Sequence, residues 1–256
     1  MTRLVRTEML EDGRVQRVLL TGPKGNIFST AMMAAVTAAL DEHKDEPKLK
    51  LVVLEGEGAN FSFGASVEEH KQEQAPGMLS TFHRFIRALV AHPVPIAALV
   101  RGQCLGGAFE VVCACHFVFC THDAKFGCPE VKLGVFPPVL AAIGPMRLGA
   151  PLCERLVITG ASISADDALR CGFAAKIVVD EAELFAWYRE QLAPLSAFAI
   201  RQATKVSRRA SGMFAAVEAP LELAERQYVT ELLPSHDANE GIASFLERRK
   251  PAWEDR

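Results

Sequence analysis

The sequence predicts an α/β core followed by a helical tail. Three observations carry this. Strand-like and helix-like segments alternate through the first two-thirds of the chain. The strand candidates are near-continuous apolar runs, the pattern of strands covered on both faces. Nearly everything from Glu181 onward reads as amphipathic helix.

The segments follow in order. LVRTEML and RVQRVLLTG flank the turn EDG and read as two strands. STAMMAAVTAALDEHK has helical periodicity, with Ser29 as its N-cap. LKLVVLEG is a strand. The loop EGANFSFGAS then enters a helix whose Ser66 and Glu69 have capping-box spacing. PVPIAALVRG is a buried strand, CLGG the turn out of it, AFEVVCACH a helix and FVFCT the next strand. After Pro137 the character changes to helix, interrupted by KIVVD. Three helices fill residues 196–256, divided at Ser211-Gly212 and Pro234-Ser235. This gives a core at 1–195 and a helical region at 196–256. Phe214, Leu223, Tyr228, Phe245 and Trp253 in that region need a place to be buried, on the core or on a neighbouring subunit.

The chain has 256 residues, 50% hydrophobic and 23% charged, enough for one domain with a sizeable core. A net charge of -3 argues against nucleic-acid and membrane-surface partners. MTRLVRTEMLEDG lacks the apolar centre of a signal peptide, and no apolar run reaches membrane-spanning length. The seven cysteines are odd in number and suggest reduced, buried thiols in a cytoplasmic protein. Cys113, Cys115, Cys120 and Cys128 lack the paired spacing of zinc sites, so no metal is expected.

Three stretches carry candidate chemistry. In CLGGAFE a strand ends, two glycines turn the chain and a helix begins. Its first N–H groups lack intrahelical partners and its dipole favours negative charge, which suits an oxyanion; Glu110 stands in the same first turn. FSFGAS is a second glycine turn that supplies a second donor. FGCPEVKLGVFPP places Glu130 twenty residues after Glu110. Two carboxyl groups allow one to act as base on water and the other as acid toward carbon. Each stretch also has a plain reading, as a capped helix start, an ordinary loop or a surface glutamate.

Together, FSFGAS, GQCLGGAFE and FGCPEVKLGVFP resemble the enoyl-CoA hydratase/isomerase family, the crotonase superfamily. ITGASISADDALRCGFAAKIV and NEGIASFLERRKP extend the likeness along nearly the whole chain. The resemblance implies a crotonase-like ββα spiral with a helical C-terminal trimerisation region, assembled as a trimer or as a hexamer of two trimers. It implies an acyl-CoA thioester substrate and no cofactor, coenzyme A being part of the substrate. Carried over by motif, the oxyanion donors are the N–H groups of Ala65 and Gly107, and Glu110 and Glu130 are the catalytic glutamates. Lys24 and Phe63 match positions that hold coenzyme A. His70 lies one turn beyond Ser66, either facing the pocket or simply packed.

Two departures from the family pattern stand out. Ser66 follows Ala65 where an Asp is usual. Pro138, Val139 and Leu140 replace glycines beside the acyl pocket, where their bulk reshapes it. Proline has no N–H, so if this position supports Glu130, its ionised form is less favoured. Within the family the chain is most similar to members that hydrate a conjugated cyclic dienoyl-CoA in anaerobic aromatic breakdown. A conventional 2-enoyl-CoA hydratase, an enoyl-CoA isomerase and a non-enzymatic binding protein on the same fold are the alternatives.

Overall fold

A computed structural model describes residues 3–256, Lys24 by its backbone alone. β1 (Val5–Leu10) and β2 (Val15–Leu20) form an antiparallel hairpin. α1 (Pro23–Asn26) and α2 (Thr30–His43) lead to β3 (Leu51–Gly56). A 3-10 turn at Val67–His70 and α3 (Ala75–Ala91) precede β4 (Ile96–Val100). β5 (Gln103–Leu105), α4 (Gly107–Ala114), β6 (Phe117–Cys120), β7 (Lys125–Gly127) and a second 3-10 turn at Pro129–Leu133 follow. Next come α5 (Pro138–Leu148), α6 (Ala150–Thr159), β8 (Ser162–Ser164), α7 (Ala165–Arg170) and β9 (Lys176–Ile177). The remainder is helical: α8 (Glu181–Gln191), α9 (Ala197–Ala210), α10 (Met213–Ala216), α11 (Ala219–Gln227) and α12 (His236–Leu246).

The strands divide between two sheets. One has the order β1-β2-β3-β4-β6-β9 and is parallel from β2 onward; the other is β5-β7-β8. Alternation along the large sheet produces two apolar layers. Leu51, Val53, Ala97, Leu99 and Phe119 meet Leu184 and Tyr188 of α8. Val52, Leu54, Ile96, Ala98 and Val118 join the main core, together with α2, α3 and α4. Glu55, in β3, is buried, and its carboxylate accepts from Arg101 at 3.0 Å and from Arg17. A buried charge needs such partners.

Ser29 caps α2 as expected, accepting from the Met32 N–H at 3.3 Å. The capping box at Ser66 and Glu69 does not form. The segment there is one 3-10 turn with no side-chain cap, and Glu69 instead accepts from the Thr30 N–H at 3.1 Å and hydroxyl at 2.9 Å. The first turn of the longer helix α2 has free donors and a stronger dipole, so it wins the carboxylate. CLGG is not wholly a turn either. Gln103–Leu105 pairs with Lys125–Gly127, and the chain reverses only at Gly106.

In the tail the middle helix is broken into α10 and α11, and α11 continues into a π-helical turn at Tyr228–Leu232. Met213, Val217, Leu221, Tyr228 and Ile242 share the main core, so the tail lies on its own chain's body. His83 of α3 is hydrogen-bonded through Nδ1 to Glu225 of α11 at 2.5 Å. Of the tail residues expected to need cover, Tyr228 is buried, whereas Leu223, Phe245 and Trp253 remain exposed. Six cysteines are buried and Cys171 is partly so, all as free thiols. Among the described residues no helix is long and apolar enough to cross a membrane, and no three His, Cys, Asp or Glu side chains gather as metal ligands would.

Gly241 seats α12 against the turn that carries Glu130. A Cβ there would collide with the Leu133 carbonyl and lie 3.0 Å from the Gly134 nitrogen. Overpacking of this kind costs roughly 1–3 kcal/mol, and in a chain this long about 1 kcal/mol lowers Tm by about 2–4 °C. Gly241→Ala is therefore expected to melt roughly 3–10 °C below the wild type by calorimetry. An unchanged Tm would mean that α12 is not held by this contact.

Candidate active site

The first wall is backbone. An isolated bridge joins Ser62 to Cys104, and the Leu105 N–H donates to the Ser62 carbonyl at 3.1 Å, which sets FSFGAS against CLGG. The approach requires glycine. A Cβ on Gly64 (φ +102°) would lie 2.6 Å from the Leu105 oxygen, and one on Gly107 3.3 Å from the Ala65 nitrogen. Among the described residues, no acceptor takes the N–H of Ala65 or of Gly107. Gly107 opens α4, where such an N–H is left over by helix geometry. Two neighbouring donors without partners form a seat for an oxyanion.

Glu110 is 3% exposed, and the Leu140 N–H donates to its Oε1 at 2.8 Å. Burial raises its carboxyl to about 7, opposed by the Leu140 and Val139 N–H groups. Glu130 comes from the second 3-10 turn. Its Oε1 would lie 2.7 Å from a Cβ on Gly106, whose φ of +53° also calls for glycine. Its Oε2 is screened from solvent and has no hydrogen-bond partner. Burial, and then the charge of Glu110, push Glu130 up to about 8. The two carboxyls titrate as a pair, with Glu130 the more readily protonated.

This corrects the sequence expectation for Pro138. The diproline does not support Glu130. Pro138 is the first residue of α5, where a missing N–H costs nothing, and the next free donors of that helix turn to Glu110. Glu130 is still the less supported acid, because its Oε2 is unpartnered. Val139 and Leu140 do not shape the pocket with their side chains, which are fully buried in the main core. They act through their backbone.

Both glutamates line one cavity with Ala65, Gly107, His70 and Pro138. Its walls are apolar: Met78, Leu79, Phe82, Val135, Phe136 and Ile242. His70 faces it, and its Nδ1 is 2.7 Å from the Ser66 carbonyl. A carbonyl only accepts, so Nδ1 carries the proton. Burial lowers the His70 pKa and holds the ring neutral. Phe63 lines this cavity and also a neighbouring groove of about 500 Å³, bordered by Gly22, Pro23, Ser66 and Phe245. The side chain of Lys24 lies outside the described residues. Tyr228, in the same cavity wall, is the site residue that sequence reasoning missed. Its aromatic type on an amphipathic helix signals only a core position.

The fold belongs to a known class. The family model for enoyl-CoA hydratase/isomerase matches residues 11–256, and the chain is a member of that family. It is 42% identical to cyclohexa-1,5-dienecarbonyl-CoA hydratase from Thauera aromatica, over 96% of this chain and 95% of that protein. It is 29% identical to a probable enoyl-CoA hydratase from Bacillus subtilis, over 94% of this chain and 96% of the relative. Among solved structures, an enoyl-CoA hydratase from Mycobacterium avium shares the fold, with a TM-score of 0.85, 24% identity and coverage of 98% and 99% of the two chains.

Raised carboxyl pKa values tie the site to stability. An ordinary glutamate titrates near 4.5, against about 7 and about 8 here, so between these values the folded state holds protons that the unfolded chain releases. This contribution to stability is full below about pH 4.5 and is lost as pH rises to about 8. Glu130→Gln keeps the shape without the charge. It is expected to raise Tm at about pH 9 by roughly 3–8 °C, the scale of relieving one buried uncompensated group, and to change it little near pH 5. A variant that melts below the wild type at high pH would contradict this electrostatic account.

Proposed function

We propose that this protein adds water to a conjugated cyclic dienoyl-CoA thioester, cyclohexa-1,5-diene-1-carbonyl-CoA, giving 6-hydroxycyclohex-1-ene-1-carbonyl-CoA. The observation that carries the reading is the unequal carboxyl pair. Glu110, held by α5, and Glu130, with its unpartnered oxygen, face one apolar cavity beside two free backbone donors. The identity to the Thauera aromatica hydratase supports the choice of substrate.

In this reaction the thioester oxygen takes the Ala65 and Gly107 N–H groups. The Glu110 carboxylate removes a proton from water, and the oxygen adds to the β-carbon of the ring. Negative charge spreads from the thioester oxygen over the conjugated carbons, where the two N–H groups stabilise it. Glu130 then delivers its proton to the far end of the diene, and the remaining double bond stands beside the thioester carbonyl. Glu110 has gained a proton and Glu130 has lost one, so a proton exchange resets the site. Coenzyme A enters as part of the substrate, its chain along the groove at Phe63, and the reaction uses no other cofactor.

Substrate preference tests the reading. Hydration of the cyclic diene is expected to exceed that of crotonyl-CoA by at least roughly 10²-fold in kcat/KM, about 2.7 kcal/mol of discrimination. In heavy water the label belongs at the far end of the diene. The pH profile of kcat/KM rises through about 7, as Glu110 ionises, and falls through about 8, as Glu130 deprotonates. Preference for crotonyl-CoA, with label at the α-carbon, would make this a conventional enoyl-CoA hydratase.

The assembly we propose is a trimer, or two trimers paired. Phe198 and Val206 on α9 are 72% and 63% exposed, and Leu223 on α11 is 56% exposed, apolar surface that neighbouring copies would cover. Light scattering is expected to give a mass of three or six times 27.9 kDa. A stable single chain at micromolar concentration would refute it. The cytoplasm is the proposed location, on the strength of seven unpaired thiols.

A further inference from the structure

Besides the two glutamates and His70, the cavity holds a fourth polar side chain, which the proposed mechanism leaves idle. Tyr228 is 1% exposed, and its ring meets Phe136 edge-on at a centroid distance of 5.3 Å. A phenylalanine would fill that place equally well. The tyrosine instead carries a hydroxyl that is screened from solvent and hydrogen-bonds to no protein atom. Burying such a group without a partner is unfavourable, so a tyrosine here calls for a partner that arrives with the ligand.

Local structure aims this residue. α11 stops being α-helical at Tyr228, and the Leu233 N–H bonds to the Tyr228 carbonyl at 2.8 Å, a five-residue step. Single π-helical turns re-aim side chains and recur at functional sites. One turn earlier, Glu225 ties α11 to His83 of α3 at 2.5 Å and fixes the helix over the cavity. Burial raises the Tyr228 hydroxyl pKa, and the charges of Glu130 and then Glu110 raise it further, so it stays protonated and is a donor.

No protein acceptor, Glu130 Oε2 and His70 Nε2 included, bonds to this hydroxyl, so the acceptor belongs to the ligand. The inference rests on the hydratase reading above. The ring of the substrate has no heteroatom, and the thioester oxygen is taken by Ala65 and Gly107. Glu110 already receives the Leu140 N–H and serves as base. The one other oxygen in the reaction belongs to water before the addition and to the product hydroxyl after it. We infer that the Tyr228 hydroxyl donates a hydrogen bond to this reacting oxygen, which holds the water over the β-carbon and recognises the hydroxyl of the product.

Tyr228→Phe removes the donor and keeps the ring. Binding is best read in a Glu110→Gln background, where turnover is suppressed and ligands stay intact. The probes are 6-hydroxycyclohex-1-ene-1-carbonyl-CoA and cyclohex-1-ene-1-carbonyl-CoA, which differ only in the hydroxyl. Adding Tyr228→Phe is expected to weaken the hydroxylated ligand about 10-fold, about 1.4 kcal/mol, and to leave the other within about 2-fold. In the otherwise native enzyme the same change is expected to lower kcat about 10-fold with KM for the diene little altered, and not to lower Tm. Equal losses for both ligands, or no loss for either, would overturn the inference. The binding pair is read without turnover, whereas a wild type that hydrates no CoA thioester defeats the hydratase reading separately.

Discussion

Glu110 and Glu130 share an apolar cavity in which each negative charge is costly and each raises the cost of the other. The surrounding structure answers this constraint asymmetrically. The start of α5 offers its unpaired N–H groups to Glu110, as a helix N-terminus does for any anion. Glu130 receives no comparable support at Oε2. One site thus holds a carboxylate and a carboxylic acid near neutral pH, the division of labour that acid–base chemistry on a carbon–carbon double bond needs. The two prolines at 137 and 138 fit this plan, because a helix start is where proline is tolerated while the donors that follow remain free.

The backbone half of the site depends on close approach. Gly64, Gly106 and Gly107 let two loops from different parts of the chain touch, and side chains at these places would push them apart. The parallel sheet supplies the frame: its strands end where the loops begin, so a fixed register in β3 and β4 becomes a fixed distance between two N–H groups. α11 and α12 then close the cavity from the tail side through Tyr228 and Ile242. The tail is therefore part of the site's wall as well as the bearer of exposed apolar surface.

Much of this was legible in the sequence, for physical reasons. Doubly buried strands read as apolar runs, and glycine pairs before a helix read as turns with spare donors. The order of FSFGAS, CLGGAFE and CPEVKLGVFPP carried the family. The failures share one cause, that a side chain has more than one partner within reach. Glu69 has the spacing to cap its own turn but joins α2 instead. Val139 and Leu140 look like pocket residues because they adjoin Pro138, yet helix geometry turns their side chains inward and leaves their N–H groups to Glu110. Tyr228 has no local signal, since an aromatic residue on an amphipathic helix reads as core and nothing in its neighbours marks the π-helical turn that carries it.

The cysteines have a consequence for handling the protein. Cys104, Cys113 and Cys128 are fully buried, and burial holds their thiols well above the ordinary range; Cys115 and Cys120 are pushed up to about 12. A thiol that stays protonated is a poor nucleophile and resists alkylation and oxidation. Cys171, at the end of α7, is the cysteine with partial exposure. A maleimide or a spin label applied to the folded chain would settle there first, marking one defined point on the surface without any engineered substitution.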